Sequence, residues 1–285
     1  MRKGARPHYG FVVAGVLIAA VALVSQNLPA TALQNPPPVV AAQTQAPAAA
    51  VPNCPELARA LSAVVRNDGR LRDWPDLARY RDANREIVPP RAGETRVVFM
   101  GDSITDFWQQ PRFGGFFPGK PYVDRGISGQ TTPQMLVRFR PDVIALNPKV
   151  VVILAGTNDI AGNTGPATND EIEGNVASMS ELAQAHGIQV VLSSILPVGA
   201  SHHRADDPQP PQTTVRPLAR IVAVNERLKA YAAARGHVYL DYFSAMIDPA
   251  GTLRAQLSED DLHPNAKGYA IMAPLAEAAI AKASK

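Results

Sequence analysis

Apolar residues in this chain fall into short uninterrupted runs separated by longer amphipathic stretches. Val97-Val98-Phe99-Met100 is the first such run and ends at Gly101, and Tyr122-Val123 is a weaker one. Val150-Val151-Val152-Ile153-Leu154-Ala155 is the clearest, β-branched and uncharged, and it ends at Gly156. Gln189 to Ser193 and His237 to Leu240 complete five predicted strands. Runs without polar alternation predict strands buried on both faces. Helical patterns lie between them at about 132–145, 170–186 and 216–235, with a last one at 266–282 and two earlier at Pro55 to Arg66 and Trp74 to Arg85. This alternation predicts an α/β fold with a mostly parallel sheet covered on both faces. In such sheets ligands bind beyond the carboxyl ends of the strands.

The first part of the chain reads differently. Arg2, Lys3 and Arg6 precede an uncharged apolar stretch from Phe11 to Val24, and Ala30-Thr31-Ala32 supplies a small-x-small cleavage site. The stretch is shorter than the roughly 18 residues of a spanning helix. A signal peptide over residues 1–32, cleaved after Ala32, is therefore expected, with an uncleaved anchor as the alternative. Residues 33–53 are mostly Pro, Ala, Gln and Val and read as a linker without a packed core. The folded domain is expected over 54–285, in a periplasmic or secreted protein with no stable membrane span after cleavage.

Composition changes little in this picture. Hydrophobic residues are 46% and charged residues 19% of the chain, as in a globular domain. The net charge of +3 belongs to the signal: of 28 basic residues three lie in 1–32, leaving 25 against 25 acidic. Nothing basic remains to favour nucleic acid as a partner. Cys54 is the only cysteine, so no intrachain disulfide can form. It lies too far past the apolar run for a lipidated residue. The sequence carries no sign of the oligomeric state.

Four polar segments carry candidate chemistry. Gly101-Asp102-Ser103, Gly126-Ile127-Ser128-Gly129-Gln130 and Gly156-Thr157-Asn158-Asp159 directly follow predicted strands one to three, and Asp260-Asp261-Leu262-His263 precedes the last helix. A serine hydroxyl becomes a nucleophile when a neighbouring base takes its proton, and histidine suits that task near neutral pH. Ser103 and His263 are the candidates, with Asp260 three residues earlier to fix the ring tautomer. An attacked carbonyl becomes an oxyanion and needs preorganised donors. The N–H groups of Ser103 and Gly129 and the Asn158 amide can supply them.

These segments, in this order, resemble the blocks of the SGNH/GDSL hydrolase superfamily over about residues 95–283. Met100-Gly101-Asp102-Ser103 resembles the nucleophile block, Gly156-Thr157-Asn158-Asp159 the Asn block, and Asp260-x-x-His263-Pro264-Asn265 the Asp-His block. Gly126 to Thr132 resembles the second block of platelet-activating-factor acetylhydrolase-like members, which puts the oxyanion glycine on Gly129. Gln130 stands where that block frequently has Asp. The resemblance implies a three-layer α/β/α sandwich with a five-stranded parallel sheet, flavodoxin-like in kind. It implies hydrolysis of a small-molecule or glycan ester through an acyl-enzyme, without metal or organic cofactor. An O-acyltransferase using the same acyl-enzyme and a non-catalytic carbohydrate-binding module are the alternatives.

Plainer readings stand beside these. Ser103 could cap the following helix, Asp102 reads as structural, and Asp261 competes with Asp260. Gly114 to Lys120 is a near-miss phosphate loop, with Pro121 where Ser or Thr is needed. Ser201-His202-His203-Arg204-Ala205-Asp206-Asp207 has metal-ligand types but lies in a Pro-rich segment running to Pro217, where a loop bordering the site is expected. Phe107, Trp108, Phe116, Phe117 and Tyr122 are expected to pack in the core, or else to form a sugar- or acyl-binding surface.

Overall fold

The computed structural model describes residues 72–201 and 210–285, with scattered helical positions between 55 and 64. The expected signal, the linker and Cys54 lie outside the described residues, as does the 202–207 part of the histidine-bearing loop. Among the described residues no helix is long and apolar enough to cross a membrane.

Five strands form one parallel sheet: β1 (Val97–Gly101), β2 (Tyr122–Gly126), β3 (Val150–Ile153), β4 (Gln189–Ser193) and β5 (Val238–Leu240), in the order β2-β1-β3-β4-β5. The helices are α1 (Arg81–Glu86), α2 (Ser103–Trp108), α3 (Thr132–Asp142), α4 (Thr157–Ile160), α5 (Asn169–Ala185), α6 (Gln212–Val215), α7 (Leu218–Arg235), α8 (Phe243–Met246) and α9 (Ala266–Ala283). The pleat sorts each strand onto two cores. Val98, Met100, Val151, Ile153, Val190 and Leu192 pack with α3, α5 and α7 on one face. Val97, Phe99, Val150, Val152, Val191 and Leu240 pack with α2 and α9 on the other. The result is the expected three-layer α/β/α sandwich.

Helix starts follow their caps. Thr168 and Glu171 exchange bonds across the first turn of α5, and Asn265 Oδ1 accepts the N–H groups of Lys267 and Gly268 at the start of α9. The helix expected over Trp74 to Arg85 is shorter. Pro75 and the left-handed Asp76 (φ 55°) hold 74–80 in turns, and only Arg81–Glu86 is helical.

The strand order has a functional consequence. From β1 the chain moves one way to β2, then crosses back to place β3 on the other side. This opens a crevice between the carboxyl ends of β1 and β3. The segments after those two strands carry Ser103 and Asn158.

Candidate active site

The turn from β1 into α2 is unusually tight, and glycine permits it. A Cβ on Gly101 would lie 2.0 Å from Thr105 Oγ1. A Cβ on Gly126, at the end of β2, would lie 2.1 Å from the backbone nitrogen of Asp106. So α2 sits directly against both strand ends, with Ser103 as its first residue and Asp102 as its N-cap. Asp102 Oδ1 accepts the Ile104 N–H at 2.9 Å, while burial pushes this carboxyl up to about 6. Tyr269 of α9 ties the same turn from the other side, donating to Ile104 O at 2.7 Å.

Ser103 Oγ lies 2.9 Å from His263 Nε2, across 160 residues of sequence. His263 Nδ1 lies 2.6 Å from Asp260 Oδ2. Asp260 Oδ1 also accepts the backbone N–H groups of His263 (2.8 Å) and Leu262 (3.1 Å). Burial disfavours the charge on Asp260, but these bonds outweigh it and hold the carboxyl well below the usual carboxylate range. The competing acid points elsewhere. Asp261 accepts the Ser201 hydroxyl and its carbonyl takes the Gly199 N–H, so it pins the segment after β4.

Asn158 is buried one residue into α4. Its Nδ2 donates to Gln130 O at 3.0 Å, which uses one of two amide hydrogens. Gly129 adopts φ +79° in the turn after β2, and its carbonyl accepts from Asn163 Nδ2 at 2.9 Å. Among the described residues, the N–H groups of Ser103 and Gly129 have no acceptor within the chain. Asp159 accepts the N–H and hydroxyl of Thr132, locking the β3 turn to the start of α3. Gln130 is a buried strut. Its amide nitrogen donates to Pro75 O at 2.7 Å, and its amide oxygen accepts from Arg138.

Two arginines that the sequence did not single out complete the frame. Arg138 is fully buried; it donates to Gly101 O (2.9 Å) and Arg125 O (2.8 Å) and pairs with Asp142. It therefore bolts together the ends of β1 and β2. Arg216 ends the Pro-rich segment and donates to the carbonyl and hydroxyl of Thr157 and, at 3.4 Å, to Asn158 Oδ1. Burial lowers the pKa of its guanidinium, and the charges of Asp102 and Asp260 act against that shift. An i,i+4 partner, Gln212, was the one available sign, because Gln212 Oε1 accepts from Arg216 Nη1.

A cleft at His263 is lined by Phe107, Phe113, Gln212, Val215 and Arg216, among others. The described part of the 199–217 segment thus borders the site as expected. The aromatic group divides. Trp108, Phe116, Phe117 and Tyr122 pack around Phe99 in the core, whereas the Phe107 ring lies 4.8 Å from the His263 ring. Lys120 of the near-miss phosphate loop pairs with Glu277 at 3.0 Å.

Residues 99–271, more than half of the chain, match the GDSL-like lipase/acylhydrolase family. A solved structure of an acylhydrolase candidate from Bacteroides fragilis is 42% identical, covers 75% of this chain and 99% of its own, and superposes with a TM-score of 0.68. The acetylxylan esterase of Geobacillus stearothermophilus is 25% identical over 208 residues, 62% of this chain and 90% of that protein. An uncharacterised lipoprotein of Bacillus subtilis is 32% identical over 87 residues, 28% of this chain and 36% of that protein. The chain thus spans little more than a third of the lipoprotein's length. With the sheet, the crevice and the sequence match in agreement, the chain belongs to the GDSL-like lipase/acylhydrolase family and is a carboxylic ester hydrolase.

Proposed function

We propose that the chain is a serine esterase acting on acetyl or other short-acyl esters, with a carbohydrate as the alcohol. One observation carries the reading: the continuous chain from Ser103 Oγ through His263 to Asp260, with contacts of 2.9 and 2.6 Å. Ser103 Oγ attacks the ester carbonyl carbon while His263 Nε2 takes its proton. The oxyanion is held by the Ser103 and Gly129 N–H groups and by the second amide hydrogen of Asn158. As the carbon–oxygen bond to the alcohol breaks, His263 returns the proton to the departing oxygen. Water then attacks the acyl-serine, giving up a proton to His263, and the carboxylic acid leaves with Ser103 restored. Asp260 fixes the ring and stabilises its cation.

The acyl preference is supported by the aromatic wall of Phe107 and Phe113 beside His263. The carbohydrate alcohol is suggested by the similarity to the acetylxylan esterase. Residues 1–32 are proposed to direct export, with the mature protein beginning at Leu33; N-terminal sequencing of the recovered protein checks this. The chemistry is tested with Ser103→Ala, which should abolish turnover of a short-chain nitrophenyl ester and labelling by a fluorophosphonate while leaving the melting temperature near that of the wild type. Retained turnover would overturn the assignment, and acyl transfer to an added polyol in place of release as free acid would mark a transferase.

A further inference from the structure

A second cleft lies across the 161–167 loop from the ester cleft, and nothing in the proposed reaction uses it. It is lined by Trp74, Thr164, Glu171, Gly174 and Asn175. The loop 161–167 divides the two: Asn163 lines the ester cleft and Thr164 to Ala167 line the second.

Three features of this cleft point to a ligand. Trp74 is 42% exposed, although an indole is among the most favourable side chains to bury. Gly174 sits inside the 17-residue helix α5, where glycine weakens a helix. Packing does not require it, because a Cβ there would meet nothing within 4 Å. What the missing side chain leaves is depth in the cleft. The polar groups are partly uncommitted as well. Asn175 Nδ2 donates to Thr132 Oγ1 and Glu171 Oε2 serves the cap of α5, while among the described residues Asn175 Oδ1 and Glu171 Oε1 have no partner in the chain.

An exposed indole beside amide, hydroxyl and carboxylate groups suits a pyranose ring, which can stack its C–H face on an aromatic ring and bond through its hydroxyls. The lining holds carboxylates but no Lys, Arg or His, which favours a neutral sugar over an anionic one. We propose that this cleft binds a neutral sugar unit of the glycan whose ester is presented to Ser103. The sugar site stands on the cleft itself; its link to catalysis rests on the proposed esterase reading. The loop 161–167 would lie under the glycan where it passes from one cleft to the other.

The test titrates the full chain with ester-free xylohexaose, cellohexaose and chitohexaose, by calorimetry and by tryptophan fluorescence. At least one hexasaccharide should bind and perturb the emission. Trp74→Ala and Gly174→Leu should each weaken that binding about tenfold or more. Gly174→Ala keeps the variant series interpretable: it should raise the melting temperature, because alanine favours a helix, so lost binding in Gly174→Leu cannot be ascribed to a need for glycine in the fold. No binding by any of the three sugars, or equal binding by wild type, Trp74→Ala and Gly174→Leu, overturns the proposal. Hydrolysis of a nitrophenyl ester is scored separately. Sugar binding without Ser103-dependent hydrolysis would refute the esterase reading alone, and hydrolysis without sugar binding would refute this site alone.

Discussion

Asp260 holds His263 at two points: its Oδ2 meets ring Nδ1 at 2.6 Å, and its Oδ1 accepts the backbone N–H of the same residue at 2.8 Å. The backbone bond fixes the loop, and the ring bond fixes the tautomer. With Nδ1–H donated to the carboxylate, Nε2 carries the lone pair that faces Ser103. Ser258 Oγ adds a donor to Oδ1 at 3.1 Å, so the carboxylate is positioned from several sides.

Asp260→Asn preserves the shape but removes the charge, and its amide end donates where the carboxylate accepts. The ring is then free to take the wrong tautomer. The expected kcat loss on a short-chain nitrophenyl ester is about 10³–10⁴-fold with little change in KM. Stability carries a second sign. The folded carboxyl titrates below its unfolded value of about 3.9, so its contribution is present above that pH and is lost as pH falls through the depressed folded value. The melting-temperature deficit of the variant should therefore be present at neutral pH and shrink in acid.

Asn158 and Arg216 should separate in kinetics. On the proposed mechanism Asn158→Ala removes a donor to the oxyanion, so kcat should fall about 10²–10³-fold, or about 2.7–4 kcal/mol, with KM near that of the wild type. A pure KM effect would contradict the oxyanion role. Arg216→Met leaves the Asn158 amide in place but removes the donors to its Oδ1 and to Thr157. Of these, the bond to Asn158 Oδ1 is the one that positions the amide, and its loss predicts a fall of about tenfold in kcat, partly recovered in Arg216→Lys.

What could be read from the sequence follows from where the information sits. Parallel strands are buried on both faces, so Val97 to Met100 and Val150 to Ile153 announce themselves as unbroken apolar runs. The polar residues just past them are conspicuous for the same reason. Asp260 and His263 are three apart, and their relation is local. Arg216 was hidden because its partners Thr157 and Asn158 lie nearly 60 residues away, beyond a Pro-rich stretch with no periodicity. The Trp74–Arg85 stretch has a helical polar pattern throughout, but Pro75 and the left-handed φ of Asp76 confine the helix to Arg81–Glu86. Gln130 gave no local sign of its role, since it works between Pro75 and Arg138.

Gly126→Ala tests how closely α2 must sit to the sheet. The added Cβ meets backbone atoms of Asp106 and Thr105, which cannot swing aside as a side-chain tip could. Overpacking of this kind costs about 1–3 kcal/mol. Relief requires α2 to move, and Ser103 moves with it. The variant should lose both melting temperature and kcat, whereas unchanged kcat in a destabilised protein would mean that the turn carrying Ser103 is decoupled from the end of β2.

Asp124 gives the fold a pH dependence of opposite sign to that of Asp260. It is buried in the middle of β2, where Oδ1 accepts the Gly126 N–H at 2.7 Å and Oδ2 has no partner among the described residues. Burial, assisted by Asp106, pushes its carboxyl up to about 7. An unfolded aspartate ionises near about 3.9. Between those values the folded protein binds more protons than the unfolded chain, so this group lowers stability as pH rises and its effect levels off above about 7. Asp124→Asn keeps the Oδ1 acceptor and removes the titration. Its melting temperature relative to wild type should rise from about pH 4 to about pH 8, and parallel curves for the two proteins would show that Asp124 is ionised throughout that range.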